Sequence, residues 1–305
     1  MKLNFNVKKF KGLWTALVTS FLKENGEIDW LSFNELVRLQ LQAGVSGILI
    51  AGTTGESPTL KRKEPLWMVN HAKKIVGDNC LIMAGTGTYD TAESIERTKM
   101  VRDAGADAVL LVTPYYSKPT QEGMYRHFKT IAESTDLPVL IYNITGRTGV
   151  NLEINTFVRL VSNVENIVGV KEASGNLRQI ETFCDIKKSA DDIVILSGDD
   201  NITFQTMKDY GVDGVISVAS NIVPKEMVEM VNHLLNGNFP EAEEINTRLS
   251  RLFGALFVET NPIPVKYALS LMKLCQEVYR SPMCELAQPN AKRVENILRS
   301  MKIIE

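Results

Sequence analysis

An apolar run ends on a lysine in IVGVKEAS, residues 167–174, which makes Lys171 the residue best suited to covalent chemistry. A short apolar run reads as a buried parallel strand. An ammonium at the end of such a strand loses solvation, its pKa falls, and the free amine can attack a carbonyl carbon. The position suits equally a solvated lysine just past the strand or a partner in a structural ion pair, so the motif alone leaves the choice open. Other polar groups end similar runs. GTTGES (52–57) sets Thr53 and Thr54 between glycines, which suits either an anion-binding nest or a plain turn. Tyr116 and Tyr142 are phenols at run ends, either core aromatics or members of a proton relay. Arg147 lies among glycines in GRTG and reads equally as a carboxylate clamp or a surface ion pair. Glu172 takes no role as base for Lys171, because neighbours on a strand face opposite sides.

Together, a lysine, phenols, hydroxyls and a guanidinium fit carbon–carbon chemistry through an imine. The amine condenses with a keto acid, the protonated imine withdraws electrons, and the resulting enamine attacks an aldehyde, or the reverse reaction cleaves an aldol. The SGDD stretch (197–200) is acidic and suits a phosphate poorly, which points to an unphosphorylated substrate. A pyridoxal enzyme would also use such a lysine but needs a phosphate cradle that this rim does not offer.

These groups need a scaffold that brings strand ends together. Eight apolar runs begin near residues 13, 47, 81, 108, 138, 167, 193 and 214, with helical patterns between most of them. Their spacing, roughly 20 to 35 residues, is that of a βα unit. Asp29 is the expected N-cap of the first helix. GVSG (44–47), GADA (105–108) and GVDG (211–214) form a weak repeat that joins helix to strand, with glycine where a left-handed cap is expected. This α/β pattern implies a (β/α)8 TIM barrel over residues 1–223, with a doubly wound sheet as the alternative. Residues 224–305 turn wholly helical and are expected to form a C-terminal helical subdomain that packs on the barrel or builds an oligomer interface.

The chain has 305 residues, 44% hydrophobic and 23% charged, with a formal charge of -2. That balance gives no electrostatic footprint for nucleic acid or an anionic membrane. No run reaches the length of a membrane span, and the first residues lack a signal-peptide core, so a soluble, cytoplasmic protein is expected. The four cysteines are scattered and read as packed or idle thiols. The three histidines lack metal-ligand spacing, so no metal site is expected.

GTTGES, TPYYSKPTQEG, YNITGRTG, GVKEASGNL, LSGDD, GVISV and NPIPVK occur in that order along nearly the whole chain. Jointly they resemble the dihydrodipicolinate synthase and N-acetylneuraminate lyase family. The resemblance implies a barrel with a pyruvate Schiff base on Lys171 and no cofactor. Tyr142 matches the tyrosine that moves protons to and from the imine. Thr53 and Tyr116 match the rest of the relay, with Tyr116 reaching into a neighbouring subunit. Thr54 and Ile216 match pyruvate contacts, and Gly198 of LSGDD is expected with them at the substrate. Arg147 resembles the synthase pattern, in which arginine holds the carboxylate of aspartate semialdehyde. The implied activity is condensation of pyruvate with that aldehyde in lysine and diaminopimelate biosynthesis, by a carbon–oxygen lyase. A related pyruvate lyase acting on a sugar acid is the alternative, and a barrel that only binds a keto acid is a remote one. A homotetramer built from dimers is also implied.

Two departures from the family pattern stand out. Thr145 replaces a usual proline beside Arg147, which predicts a slightly looser loop. Ser57, Glu93 and Tyr115 match a regulatory lysine pocket at the dimer interface, with Tyr89 in place of an asparagine. Arg62 and Pro65 stand where lysine-sensitive bacterial enzymes often carry histidines. An added cation opposes a ligand ammonium, so weak or absent inhibition by lysine is expected.

Overall fold

A computed structural model of the chain describes residues 5–188 and 193–305. The expected runs form eight parallel strands: β1 Gly12–Ala16, β2 Gly47–Ile50, β3 Leu81–Gly85, β4 Ala108–Val112, β5 Val139–Asn143, β6 Ile167–Glu172, β7 Val194–Ser197 and β8 Gly214–Ser217. They pair in chain order and close through β8 onto β1, so the doubly wound alternative is excluded. Helices α1 Trp30–Ala43, α2 Glu64–Val76, α3 Thr91–Asp103, α4 Gln121–Ala132, the single turn α5 Thr145–Thr148, α6 Ile154–Asn163, α7 Leu177–Lys188 and α8 Asp200–Tyr210 separate them.

Local signals set the helix ends. The Asp29 carboxylate accepts from the amides of Leu31 and Ser32 and starts α1 as expected. Gly44 and Gly211 end α1 and α8 in the left-handed conformation, φ 80° and 76°. Within the barrel, Trp14, Leu49, Met83, Leu110, Leu140 and Leu196 fill the interior. The one-turn segment Val7–Phe10 caps its lower end, where the Trp14 indole donates to the Phe10 carbonyl at 2.8 Å.

The repeat carries a second device. Asp107 of GADA accepts the Ile82 amide at 2.7 Å and pairs with Lys73 at 3.0 Å. Asp213 of GVDG does the same at the other side, accepting the Ile195 amide at 3.0 Å and pairing with Lys11 and Lys187. Each carboxylate ties the start of one strand to its neighbour and is neutralised by lysine.

Beyond β8 lie α9 Pro224–Leu235, α10 Phe239–Ala255, α11 Ile263–Leu271 and α12 Gln288–Ser300. The wholly helical reading of this region is thus met in the elements themselves. However, α9 packs on β1 and β8 between α1 and α8, which is the place of the eighth outer helix. We propose that the barrel unit closes after α9 rather than at residue 223, and that the additional helices begin with α10. No helix among the described residues is long and apolar enough to cross a membrane.

Asp213 lies at the amino-terminal ends of the strands, away from the end that bears active sites in such barrels. Asp213→Ala leaves a buried amide unpaired and two lysines without their partner. A loss of about 2 kcal/mol in chemical denaturation is expected, with unchanged activity per folded molecule.

Candidate active site

A register slip in β6 aims the lysine. Val139 pairs with Ile167, but Leu140 pairs with Gly169, so Val168 is an extra residue, and its side chain enters the barrel interior. Past this bulge Val170 joins Ile141 among the side chains that pack toward the helices, while Lys171 pairs with Tyr142. Strict alternation from the outward Ile167 would have turned residue 171 outward; the bulge reverses the face. Gly169 permits it, since a Cβ there would lie 2.0 Å from the Val194 carbonyl oxygen.

Lys171 is 5% exposed, and its Nζ sits 4.3 Å from the centre of the Tyr142 ring. Burial lowers its pKa from 10.5 to about 7; Asp200 pulls it up and Arg147 pushes it further down, and desolvation is the largest of the three. The amine is therefore substantially uncharged near neutral pH. Burial raises the Tyr142 phenol, opposed by a hydrogen bond with Thr53 and by Arg147. A Cβ on Gly198 would lie 2.9 Å from Lys171 Cε, so a glycine there makes room for the lysine stem.

A cavity of about 480 Å³ opens on this group, lined in part by Thr53, Tyr142, Ile144 and Arg147. Lys171 does not line it but lies against the ring of Tyr142, which does. Arg147 Nη2 donates to the Asn261 carbonyl at 3.0 Å, and the Asn261 side chain donates to Thr54 Oγ at 3.0 Å. Ile216 is buried in the inner layer on β8. Tyr116 is not brought to this site: its backbone is left-handed, φ 61°, and its side chain is 92% exposed. Thr145 occupies the first position of α5, and the turn holds Arg147 at the cavity wall.

Ser57, Tyr89, Glu93 and Tyr115 line the same cavity, with Tyr89 and Tyr115 edge to face at 5.3 Å. Arg62 does not line the cavity and pairs with Glu96. Instead Arg97 lines the cavity and grips Glu93 through Nε at 3.0 Å and Nη2 at 2.6 Å. The sequence does carry this signal, as a Glu and an Arg four apart on a helix, but such pairs are commonplace.

Asp200, unassigned in the sequence reading, is the second residue that geometry adds. Its buried Oδ2 accepts from the amides of Val218 and Ala219 at 3.0 and 2.9 Å. Backbone donors after β8, which in other barrels hold phosphate, are thus occupied by the chain's own carboxylate. This fits an unphosphorylated substrate. Glu172 faces away from the site, accepting from Asn143, Ser174 and Gln179.

Comparison with known proteins agrees with this geometry. The model of the "Dihydrodipicolinate synthetase family" matches residues 9–301. A 4-hydroxy-tetrahydrodipicolinate synthase of Thermotoga neapolitana is 43% identical, covering 97% of this chain and 100% of its own length. One from Methanocaldococcus jannaschii is 44% identical, again covering 97% and 100%. The crystal structure of the chloride-inhibited dihydrodipicolinate synthase of Acinetobacter baumannii with pyruvate superposes with a TM-score of 0.92 at 41% identity, over 96% of this chain and 99% of that one.

The depressed amine has a cost in stability. Unfolded, Lys171 holds its proton up to about 10.5, whereas folded it holds it only to about 7. The penalty is complete below pH 7 and fades as pH rises through that window. Lys171→Met therefore raises stability by about 3 kcal/mol at pH 6, less toward pH 10, in denaturation curves across pH.

Proposed function

The chain belongs to the dihydrodipicolinate synthetase family, and on that premise we propose that its barrel joins pyruvate and L-aspartate 4-semialdehyde into 4-hydroxy-tetrahydrodipicolinate and water. The single observation that carries the reading is a buried amine with a pKa near 7 packed on a phenol. Lys171 adds to the keto carbon of pyruvate, and water leaves to give a protonated imine. Loss of a methyl proton forms the enamine, whose carbon attacks the aldehyde; the new alkoxide takes a proton. The substrate's own amine then displaces Lys171, closing the ring and restoring the free amine.

Tyr142 and Thr53 carry the protons. Thr54, Ile216 and Gly198 shape the pyruvate end of the site. Arg147 binds the carboxylate of the aldehyde, a role supported by its place on the cavity wall beside Tyr142. A neutral sugar would leave that guanidinium without a charged partner, which disfavours the sugar-acid lyase. Tyr116 completes the relay from a neighbouring subunit in a homotetramer made of dimers, a reading supported by its exposure and by its place outside the lining of its own cavity. The enzyme works in the cytoplasm on the way to diaminopimelate and lysine.

Lysine inhibits weakly or not at all, because Glu93 is engaged by Arg97 and a cation already sits where an ammonium would bind. Addition of millimolar lysine to the condensation assay should change the rate less than twofold; strong inhibition at micromolar lysine would refute this. Borohydride added with pyruvate should label Lys171 alone, and the reading fails if the label is found elsewhere. Arg147→Ala should keep that labelling while lowering kcat/KM for the aldehyde by about 100-fold or more, the loss expected when a carboxylate clamp is removed.

A further inference from the structure

A buried charge cluster joins the C-terminal helices to the loop that carries Thr53. Lys266 on α11 is 0% exposed and forms an ion pair with Glu56, whose side chain is 1% exposed. The Lys266 ammonium also lies 4.5 Å from the centre of the Phe21 ring and 5.1 Å from that of Tyr279. The Arg280 amide donates to the second Glu56 oxygen at 3.2 Å. The Arg280 guanidinium meanwhile clasps the buried Glu64 with two bonds of 2.6 Å and reaches the carbonyls of Gly26 and Thr59.

Burying such a pair costs desolvation that apolar residues of similar size avoid, so a gain in stability is a poor explanation for it. Its position suggests a better one. The Glu56 amide donates to the Thr53 carbonyl at 3.1 Å, and both Ala51 and Glu56 are held left-handed, φ 54° and 56°. A non-glycine loop in that conformation persists only where its surroundings hold it. Five residues before Lys266, Asn261 binds both Thr54 and Arg147. One short segment therefore touches the loop at Thr54 and Glu56, and reaches Arg147 as well.

We propose that the Lys266–Glu56 pair is a positioning device, by which the C-terminal helices hold GTTGES in the shape that brings the Thr53 hydroxyl to Tyr142. Neither residue touches substrate. The inference rests on the condensation reaction proposed above and acts on its proton transfers alone.

The test uses two variants of the full chain, Glu56→Gln and the double variant Glu56→Gln/Lys266→Met, each alone and combined with Thr53→Val. The amide keeps an acceptor for Arg280 while the ionic grip is lost, and the double variant leaves no unpaired ammonium. The expected result is a fall in kcat of about tenfold or more with KM for both substrates changed less than twofold; the Tm stays close to wild type in the double variant and falls in Glu56→Gln, which leaves the buried ammonium without its carboxylate. In the Thr53→Val background the same changes should lower kcat less than twofold, because the hydroxyl they position is gone. A folded variant with undiminished kcat overturns the proposal, as does an equal loss with and without Thr53. Wild-type protein that fails to turn over pyruvate and aspartate semialdehyde would instead sink the reaction on which the proposal rests.

Discussion

The structure depends on keeping one amine out of water without surrendering its access to a carbonyl. For the role proposed for Lys171 its place suits both conditions, at the carboxyl end of β6 and beside a tyrosine ring that faces the cavity. Depth inside the barrel supplies the desolvation, and the open end supplies the approach. Neither condition is met unless the side chain points inward. The bulge at Val168 accomplishes that, and the absence of a side chain at Gly169 lets β6 lie close enough to β7 for the bulge to fit. A one-residue irregularity in a strand thus decides whether Lys171 faces the barrel interior.

The charges around the amine are arranged so that none cancels the effect of burial. Asp200 favours the ammonium, but it is occupied by the amides of Val218 and Ala219 and shares its charge with them. Arg147 acts in the opposite sense. Glu172, adjacent in sequence and the strongest candidate to re-protonate the lysine, is on the other face and bound to three donors. Alternation along the strand therefore separates two groups that would otherwise neutralise each other.

Much of this was legible in the sequence, and the exceptions have physical causes. The eight strands, Asp29 at the start of α1 and the glycines after α1 and α8 follow from local chemistry, which a linear reading captures. The closed barrel follows from regular repetition. The face of Lys171 was not legible, because the IVGV before it is apolar or small throughout and carries no period from which a bulge shows. The pairing of Arg62 outside the cavity was not legible, because its partner, Glu96, is 34 residues distant, on α3. The ties from Asn261, Lys266 and Arg280 to the second βα loop span more than 200 residues, and only the closed fold brings them together. The boundary at residue 223 follows where strands stop, whereas the boundary proposed above rests on the contacts of α9 with β1, β8, α1 and α8, which no linear reading contains.

The two ends of the barrel use charge in opposite ways. At the amino-terminal end, Asp107 and Asp213 each accept a strand amide and meet lysines that retain contact with water, so the lysine half of each pair is little desolvated and the net effect stabilises. At the carboxyl end, Lys171, Asp200, Glu56 and Lys266 are nearly sealed from solvent, where an ion pair returns little or nothing over an apolar packing. Sites that must perturb a pKa are poor sites for stability, and the surplus has to come from elsewhere in the molecule. Here it comes from the interior layers and the carboxylate ties at the opposite end. That separation lets the reactive end carry buried charge while the strands beneath it stay in register.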